Sequence, residues 1–364
     1  MGRDSAAASA RRTGGAPVAA GPAERREEVP GGHAEPGEPA RRPGRPARPA
    51  RPWRPARPAR PWRPARLAAP GAWAALLVVW VVWGSTFVAI RVGVESFPPL
   101  AMASLRYLAA GAVLFPIASR GGGARRPAAG RPGLAQWLGT AVVGTMLLAF
   151  GNGAACYAEQ TLPAGFTALL IATVPIWMVI ADRVINGRAI SPVGWLALGI
   201  GIAGVAILSR PQGHESVFPV LVVLGGSLSW GTGSVLASRL PLPARPLLGS
   251  AMEMLCGGLV LAGLAAATGE LSRLDPGHIS GRSWLALLYL IGPGSLLAMT
   301  CYVIALRRLP TATVSTYAYV NPVVAISLGA LLLGERPTLI SLLGGAVVLV
   351  SVVLLLSSRA RQAP

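Results

Sequence analysis

Eight stretches of more than twenty residues run through this chain without one charged side chain: 67–90, 132–158, 160–181, 189–209, 216–238, 283–306, 309–334 and 337–358. Two more, about 97–119 and 246–269, hold a single charge each, Arg106 and Glu253. Roughly 20 apolar residues carry a helix across a hydrocarbon core of about 30 Å, where backbone amides find partners only within their own helix. Ten such stretches predict an all-α integral membrane protein with ten transmembrane helices. Charged residues make up 13% of the chain and the mean hydropathy is +0.54. A soluble domain covers its surface with about twice that share of charge, which argues against a water-soluble enzyme.

The loop charges test the count. If the N-terminus is cytoplasmic, the loops after even-numbered spans, with the segment after the last one, hold twelve Arg: 120, 125, 126, 131, 183, 188, 239, 245, 307, 308, 359 and 361. The opposite side holds five, at 91, 210, 273, 282 and 336. Cytoplasmic loops carry the excess of positive charge, so ten spans with both termini cytoplasmic is the expected topology. All 33 basic residues are Arg, and with the weight of Ala, Gly and Pro this resembles a GC-rich bacterial coding sequence. The expected location is a bacterial inner membrane.

The two halves superpose without a gap at an offset of 147 residues. Trp83-Gly84 falls on Trp230-Gly231, Pro99-Leu100 on Pro246-Leu247 and Gly111 on Gly258. Trp137-Leu138 falls on Trp284-Leu285, Leu162-Pro163 on Leu309-Pro310, Pro175 on Pro322 and Gly187 on Gly334. Each copy, about 72–210 and 217–358, holds five spans. An odd number of crossings makes the second copy enter from the other side, so the repeats must be inverted, as in transporters that work by alternating access.

The same residues carry a resemblance. Trp83-Gly84-Ser85-Thr86-Phe87 ending in Arg91, then Pro99 with Arg106, resembles the opening of an EamA-type repeat. Leu309-Pro310, Tyr317, Asn321-Pro322 and Gly334-Glu335-Arg336-Pro337 resemble the end of that domain. Over residues 72 to 358 the chain is similar to the EamA branch of the drug/metabolite transporter superfamily. That resemblance implies ten helices in two five-helix repeats and the export or import of small metabolites, amino acids or drugs. The first repeat departs from the pattern at its end, with Gly187-Arg188 where the second has Gly334-Glu335.

Ionisable groups inside a span are costly and mark functional candidates. Arg106 and Glu253 stand 147 residues apart, at equivalent places in spans two and seven. Arg106 suits an anionic substrate group and Glu253 a proton or a cationic group; a structural pair that neutralises the bundle interior is the alternative. Ser85, Thr86, Asn152, Trp230, Tyr317 and Asn321 are polar candidates for substrate contact or for helix bridging. Pro175 and Pro322, inside spans four and nine, are hinge candidates because a mid-helix proline frees a carbonyl. No catalytic motif or metal-ligand spacing is present, and Cys156, Cys256 and Cys301 read as buried apolar residues. Neither enzyme activity nor a cofactor is expected.

The domain plan is a tail over 1–70, repeats over 71–210 and 211–358, and a short cytoplasmic C-terminus over 359–364. The tail holds fifteen Arg against six acidic residues, and its Arg-Pro-Ala triplets favour an extended, disordered, solvated chain. Three readings stand open for it: a disordered extension or upstream sequence included by the choice of start codon, attraction to anionic lipid, or a nucleic-acid arm. Two Trp make a thin stacking platform, which argues against the last. Small-residue helix faces allow a homodimer without requiring one. The expected function is secondary transport of a small metabolite, amino acid or drug-like solute, coupled to an ion gradient. The alternative is a membrane scaffold or signalling protein whose basic tail binds a partner.

Overall fold

The computed structural model describes residues 70–120, 132–208 and 217–362. The expected tail, and any contact it makes with lipid or nucleic acid, lies outside the described residues apart from Pro70. Among the described residues, all regular structure is helical. The spans are α1 Pro70–Gly93, α2 Pro99–Arg120, α3 Leu134–Ala158, α4 Ala164–Asn186 and α5 Pro192–Leu208 in the first repeat. The second repeat has α6 Val217–Leu236, α7 Pro246–Ala267, α8 Gly281–Arg308, α9 Tyr317–Leu333 and α10 Leu339–Gln362. Helices α5 and α9 have 17 residues each, shorter than their uncharged stretches. Pro192 sets the start of α5, because a proline is accommodated in a first turn and poorly beyond it. A separate turn of helix, Thr311–Val314, precedes α9.

The inversion is visible in the crossings. Helices α2 and α7 meet at their own repeat equivalents. A Cβ on Gly111 would lie 2.9 Å from Leu255 Cγ and 3.1 Å from its amide nitrogen. A Cβ on Gly258 would lie 2.9 Å from Leu108 Cγ and 3.1 Å from that nitrogen. Residues 108 and 111 correspond to 255 and 258, so a pseudo-two-fold axis passes between the two helices. The same holds between α5 and α10, where a Cβ on Gly204 would lie 2.9 Å from the Val348 nitrogen and one on Gly201 2.6 Å from Ser351 Oγ. Gly84 against Val324 (α1 on α9) is repeated by Gly231 against Trp177 (α6 on α4). Without a hydrophobic force between helices in lipid, such small residues supply the close packing that holds a bundle together.

Two further details follow the offset. Helices α4 and α9 both end on a left-handed glycine, Gly187 at φ 68° and Gly334 at φ 67°, a conformation that a Cβ would strain. Helices α3 and α8 both contain a π-helical segment, Thr145–Asn152 and Gly292–Leu297; their first residues are 147 apart. In α8 the sequence Gly292-Pro293-Gly294 accounts for it, since Pro293 offers no N–H and crowds the preceding turn.

Buried apolar residues gather in two main groups, around Met102, Tyr107, Met254 and Leu290, and around Leu162, Leu170, Val223 and Val348. Exposed Leu77, Ile117, Leu138, Leu196, Leu221, Leu288, Leu331 and Leu343 form the outer, lipid-facing surface.

Valine at Gly111 or at Gly258 is expected to cost about 1–3 kcal/mol through overpacking of the α2–α7 crossing, read as a lower Tm of the detergent-solubilised protein. Leu255→Ala should recover part of the loss in Gly111→Val. An unchanged Tm in both single variants would contradict the crossing.

Candidate functional site

Arg106 is the eighth residue of α2 and only 5% exposed. Its Nε donates to Ser295 Oγ at 3.0 Å, and that hydroxyl donates in turn to the carbonyl of Leu290 at 2.8 Å. Ser295 lies in the π-helical segment of α8, whose wider turn carries the hydroxyl toward α2. The guanidinium carbon sits 4.8 Å from the centre of the Tyr107 ring, within cation–π range. Nη1 is buried without a hydrogen-bond partner among the described residues. Gly294 leaves the room that this needs, since a Cβ there would meet Thr86 Cγ2 at 3.0 Å and Arg106 Nη2 at 3.6 Å.

An aromatic and hydroxyl wall continues from this point along α1, α8 and α9. Trp83 packs 5.1 Å from Tyr302 and 5.1 Å, edge-on, from Tyr317, while the two tyrosines are 5.9 Å apart. Ser85 Oγ lies 2.6 Å from Tyr289 Oη and donates to the Val82 carbonyl at 2.9 Å. Thr86 is buried and bonds within its own helix, to the Trp83 carbonyl. Trp80 Nε1 donates to Thr316 Oγ1 at 3.1 Å, and the Asn321 amide, turned so that its nitrogen rather than its oxygen faces them, donates to the carbonyls of Tyr317 and Trp80, both at 3.2 Å. Arg106, Ser85, Thr86, Tyr317 and Asn321 are therefore brought into one contiguous wall.

The other expected residues are placed elsewhere. Trp230 on α6 packs over Gly151, beside Asn152 on α3, and neither side chain has a hydrogen bond among the described residues. Glu253 is half-buried on α7, its backbone against Gly144, and it forms no ion pair with Arg106. The α2–α7 crossing offsets the two by about seven residues, roughly 10 Å along the helix axes. Pro175 stands in the first turn after a break at Ala172–Thr173 in α4. Pro322 is buried within α9, six residues beyond the break at Ser315–Thr316.

The sequence argument overlooked a buried carboxylate. Glu159, at the C-terminal end of α3, is fully buried, and neither carboxylate oxygen has a partner among the described residues. It stands as the single residue between two uncharged stretches, which is too short a gap to reach water and was the available signal. Arg91 Nη1 donates to the backbone carbonyls of Glu159 and Gln160, at 2.7 and 3.1 Å. Burial holds the Glu159 carboxyl well above the usual carboxylate range; Glu335 adds to the rise, while Arg91 and Arg106 oppose it. Two other acids at the same end of the bundle are helix caps. Glu270 accepts from the Leu100 and Ala101 amides of α2 at 2.8 and 3.0 Å. Glu335 accepts from the Ala164 and Gly165 amides of α4 at 2.7 and 3.2 Å.

Residues 70–210 and again 217–357 match the EamA-like transporter family. An uncharacterized inner membrane transporter of Escherichia coli, YedA, is 39% identical over 283 residues, which cover 77% of this chain and 89% of that one. A probable amino-acid metabolite efflux pump of Salmonella typhimurium is 28% identical, covering 76% of this chain and 91% of its own. A probable terminal-alkyne amino-acid exporter of Streptantibioticus cattleyicolor is also 28% identical, covering 78% and 92%. A solved crystal structure at 18% identity, covering 81% of this chain and 99% of its own with a TM-score of 0.53, shares the fold.

Ser295→Ala would leave Arg106 Nε unpaired as well as Nη1. Hydrogen bonds to charged groups contribute about 1.5–3 kcal/mol, and a loss of that size should appear as a lower Tm in detergent. A Tm equal to that of the wild type would mean that the guanidinium is held by other contacts.

Proposed function

The chain belongs to the EamA-like transporter family, and from that premise we propose that it exports amino-acid-like solutes by alternating access, driven by an ion gradient. As a family member it is a multi-pass membrane transporter of small solutes; the substrate, the direction and the coupling are the proposal. The observation that carries it is the buried, unpartnered Nη1 of Arg106. A guanidinium presents donors matched to a carboxylate, and a buried one left without a partner is costly unless a ligand completes it. Beside it, the Trp83–Tyr302–Tyr317 cluster and the Ser85–Tyr289 hydroxyl pair offer apolar surface and donors for the rest of a small solute. Two relatives, a probable amino-acid metabolite efflux pump and a probable terminal-alkyne amino-acid exporter, support the same substrate class.

The bias of loop arginines supports an inner-membrane orientation with both termini in the cytoplasm. That orientation turns the end with Arg106, Glu270 and Glu335 outward and sets Glu253 toward the cytoplasm. Glu253 remains a candidate for a proton or a cationic group, and Pro175 and Pro322 for hinges between the two packings.

Arg106→Gln is expected to reduce amino-acid flux in proteoliposomes about ten- to hundred-fold, the equivalent of one charge-assisted hydrogen-bond set. Arg106→Lys should retain part of it as a point charge. Wild-type flux in Arg106→Gln would remove the proposed carboxylate site. Glu253→Gln should weaken flux driven by an imposed pH gradient, and unchanged flux would release Glu253 from coupling. Deleting residues 1–66 should leave flux intact, whereas a scaffold acting through its tail would lose activity.

A further inference from the structure

Glu159 and Arg106 are opposite charges, both buried, and each keeps polar atoms without a partner. Tyr107, next to Arg106 on α2, and Cys156, three residues before Glu159, pack in one buried cluster, and Arg106 acts electrostatically on both Cys156 and Glu159. Arg91 Nη1 donates to two backbone carbonyls, and no hydrogen bond among the described residues reaches the Glu159 carboxylate from Arg91 or any other group. The charged groups that act on Glu159 are Arg91 on α1, Arg106 on α2 and Glu335 at the turn before α10, and Cys156 on its own helix feels Glu159 in turn. Glu270, which acts on Cys156, is a further acid at this end.

We infer that Glu159 is a second proton site of the transport cycle, beside the Glu253 candidate, and that it holds the ammonium of a zwitterionic amino acid whose carboxylate takes Arg106 Nη1. The inference rests on the transport reading above and adds a residue and a coupling sense to it. A cationic ammonium and a proton compete for the one carboxylate, so each excludes the other, and mutual exclusion at a shared site gives antiport. As the ammonium leaves Glu159 toward the outer side, a proton from that side binds the freed carboxylate. The transporter returns with Glu159 neutral, and the proton is released to the cytoplasm before the next ammonium binds. One net-neutral zwitterion leaves for each proton that enters, so one positive charge moves inward per cycle. A buried carboxylate beside an arginine is poorly suited to a metal cation, since the nearby Glu335 carboxylate is engaged by the Ala164 and Gly165 amides. Glu270 and Glu335 are occupied by backbone amides and cannot take this part.

The test uses the full chain reconstituted in liposomes, with Glu159→Gln, Glu159→Asp and Glu253→Gln beside the wild type. Infrared titration should show a protonated-carboxyl band that persists above the usual carboxylate range. The band should be lost in Glu159→Gln, shifted in Glu159→Asp and kept in Glu253→Gln. Flux of a radiolabelled mixture of protein L-amino acids should lose its response to a pH gradient about ten-fold or more in Glu159→Gln. Counterflow exchange of labelled for unlabelled amino acid should weaken in that variant, through loss of the ammonium contact, and should no longer depend on pH. If Glu159→Gln does not fold, Glu159→Asp decides, by moving both the band and the pH dependence of flux. A band unchanged in Glu159→Gln, or gradient-driven flux equal to that of the wild type, would overturn the inference. Wild-type protein that shows the Glu159 band but moves no amino acid would instead sink the substrate reading and leave the proton site standing.

Discussion

Five crossings per repeat is the constraint from which the rest of this structure follows. A backbone in hydrocarbon must satisfy its own amides, so each crossing is a whole helix. An odd number of whole helices leaves the second copy upside down. Two copies related in that way can pack only through contacts that an in-plane two-fold axis maps onto one another. The α2–α7 and α5–α10 crossings are such contacts, and glycine at 111, 258, 201 and 204 lets the axis pass close to the backbones. The paired left-handed glycines and the paired π-helical segments are further consequences of one copy being written twice.

The chemistry does not obey the symmetry of the backbone. Arg106 corresponds to Glu253, Ser295 to Leu148, Tyr302 to Ala155 and Tyr317 to Leu170. The polar wall therefore exists once, where α1 and α2 meet α8 and α9, although the scaffold offers two such places. A symmetric frame gives two packings of similar free energy, which is what alternating access needs. An asymmetric lining gives one solute site for both packings to expose. In the second place, Trp230 and Asn152 occupy the ground with no hydrogen-bonding system comparable to that of Ser85, Tyr289 and Ser295.

The ten helices and their inversion were legible because both depend on properties that a single chain displays: length without charge, and recurrence of Trp and Pro at one offset. Arg106 was legible because a charge within an apolar run is conspicuous. Its partners were not, since Ser295, Tyr289 and Tyr302 are unremarkable residues for a membrane helix, and only the π-helical turn at Gly292-Pro293-Gly294 aims Ser295 at α2. Inversion of the repeats sets Arg106 and Glu253 toward opposite faces, because antiparallel crossing separates repeat equivalents along the helix axes unless they lie at the axis itself. The shared position of Pro175 and Pro322 was legible, whereas the differing breaks in α4 and α9 were not. Those depend on which flanking residues can satisfy the carbonyls that each proline frees.

Three of the acids at one end of the bundle, Glu159, Glu270 and Glu335, show how little residue type alone decides. Glu270 and Glu335 each meet two backbone amides at a helix N-terminus, where the orphan donors and the helix dipole both favour a negative charge. Their burial is offset on the spot, and each ties a helix of the first repeat to a segment of the second. Glu159 lies at the C-terminal end of its helix, where the nearest backbone groups are carbonyls and the dipole opposes a carboxylate. The same side chain is therefore a clasp in two places and an uncompensated charge in the third. A fold that needed only stability would be served at least as well by an apolar residue at 159. Retaining a carboxylate there, beside a guanidinium that is itself incompletely paired, makes sense when the missing partners arrive with the transported solute and leave with it.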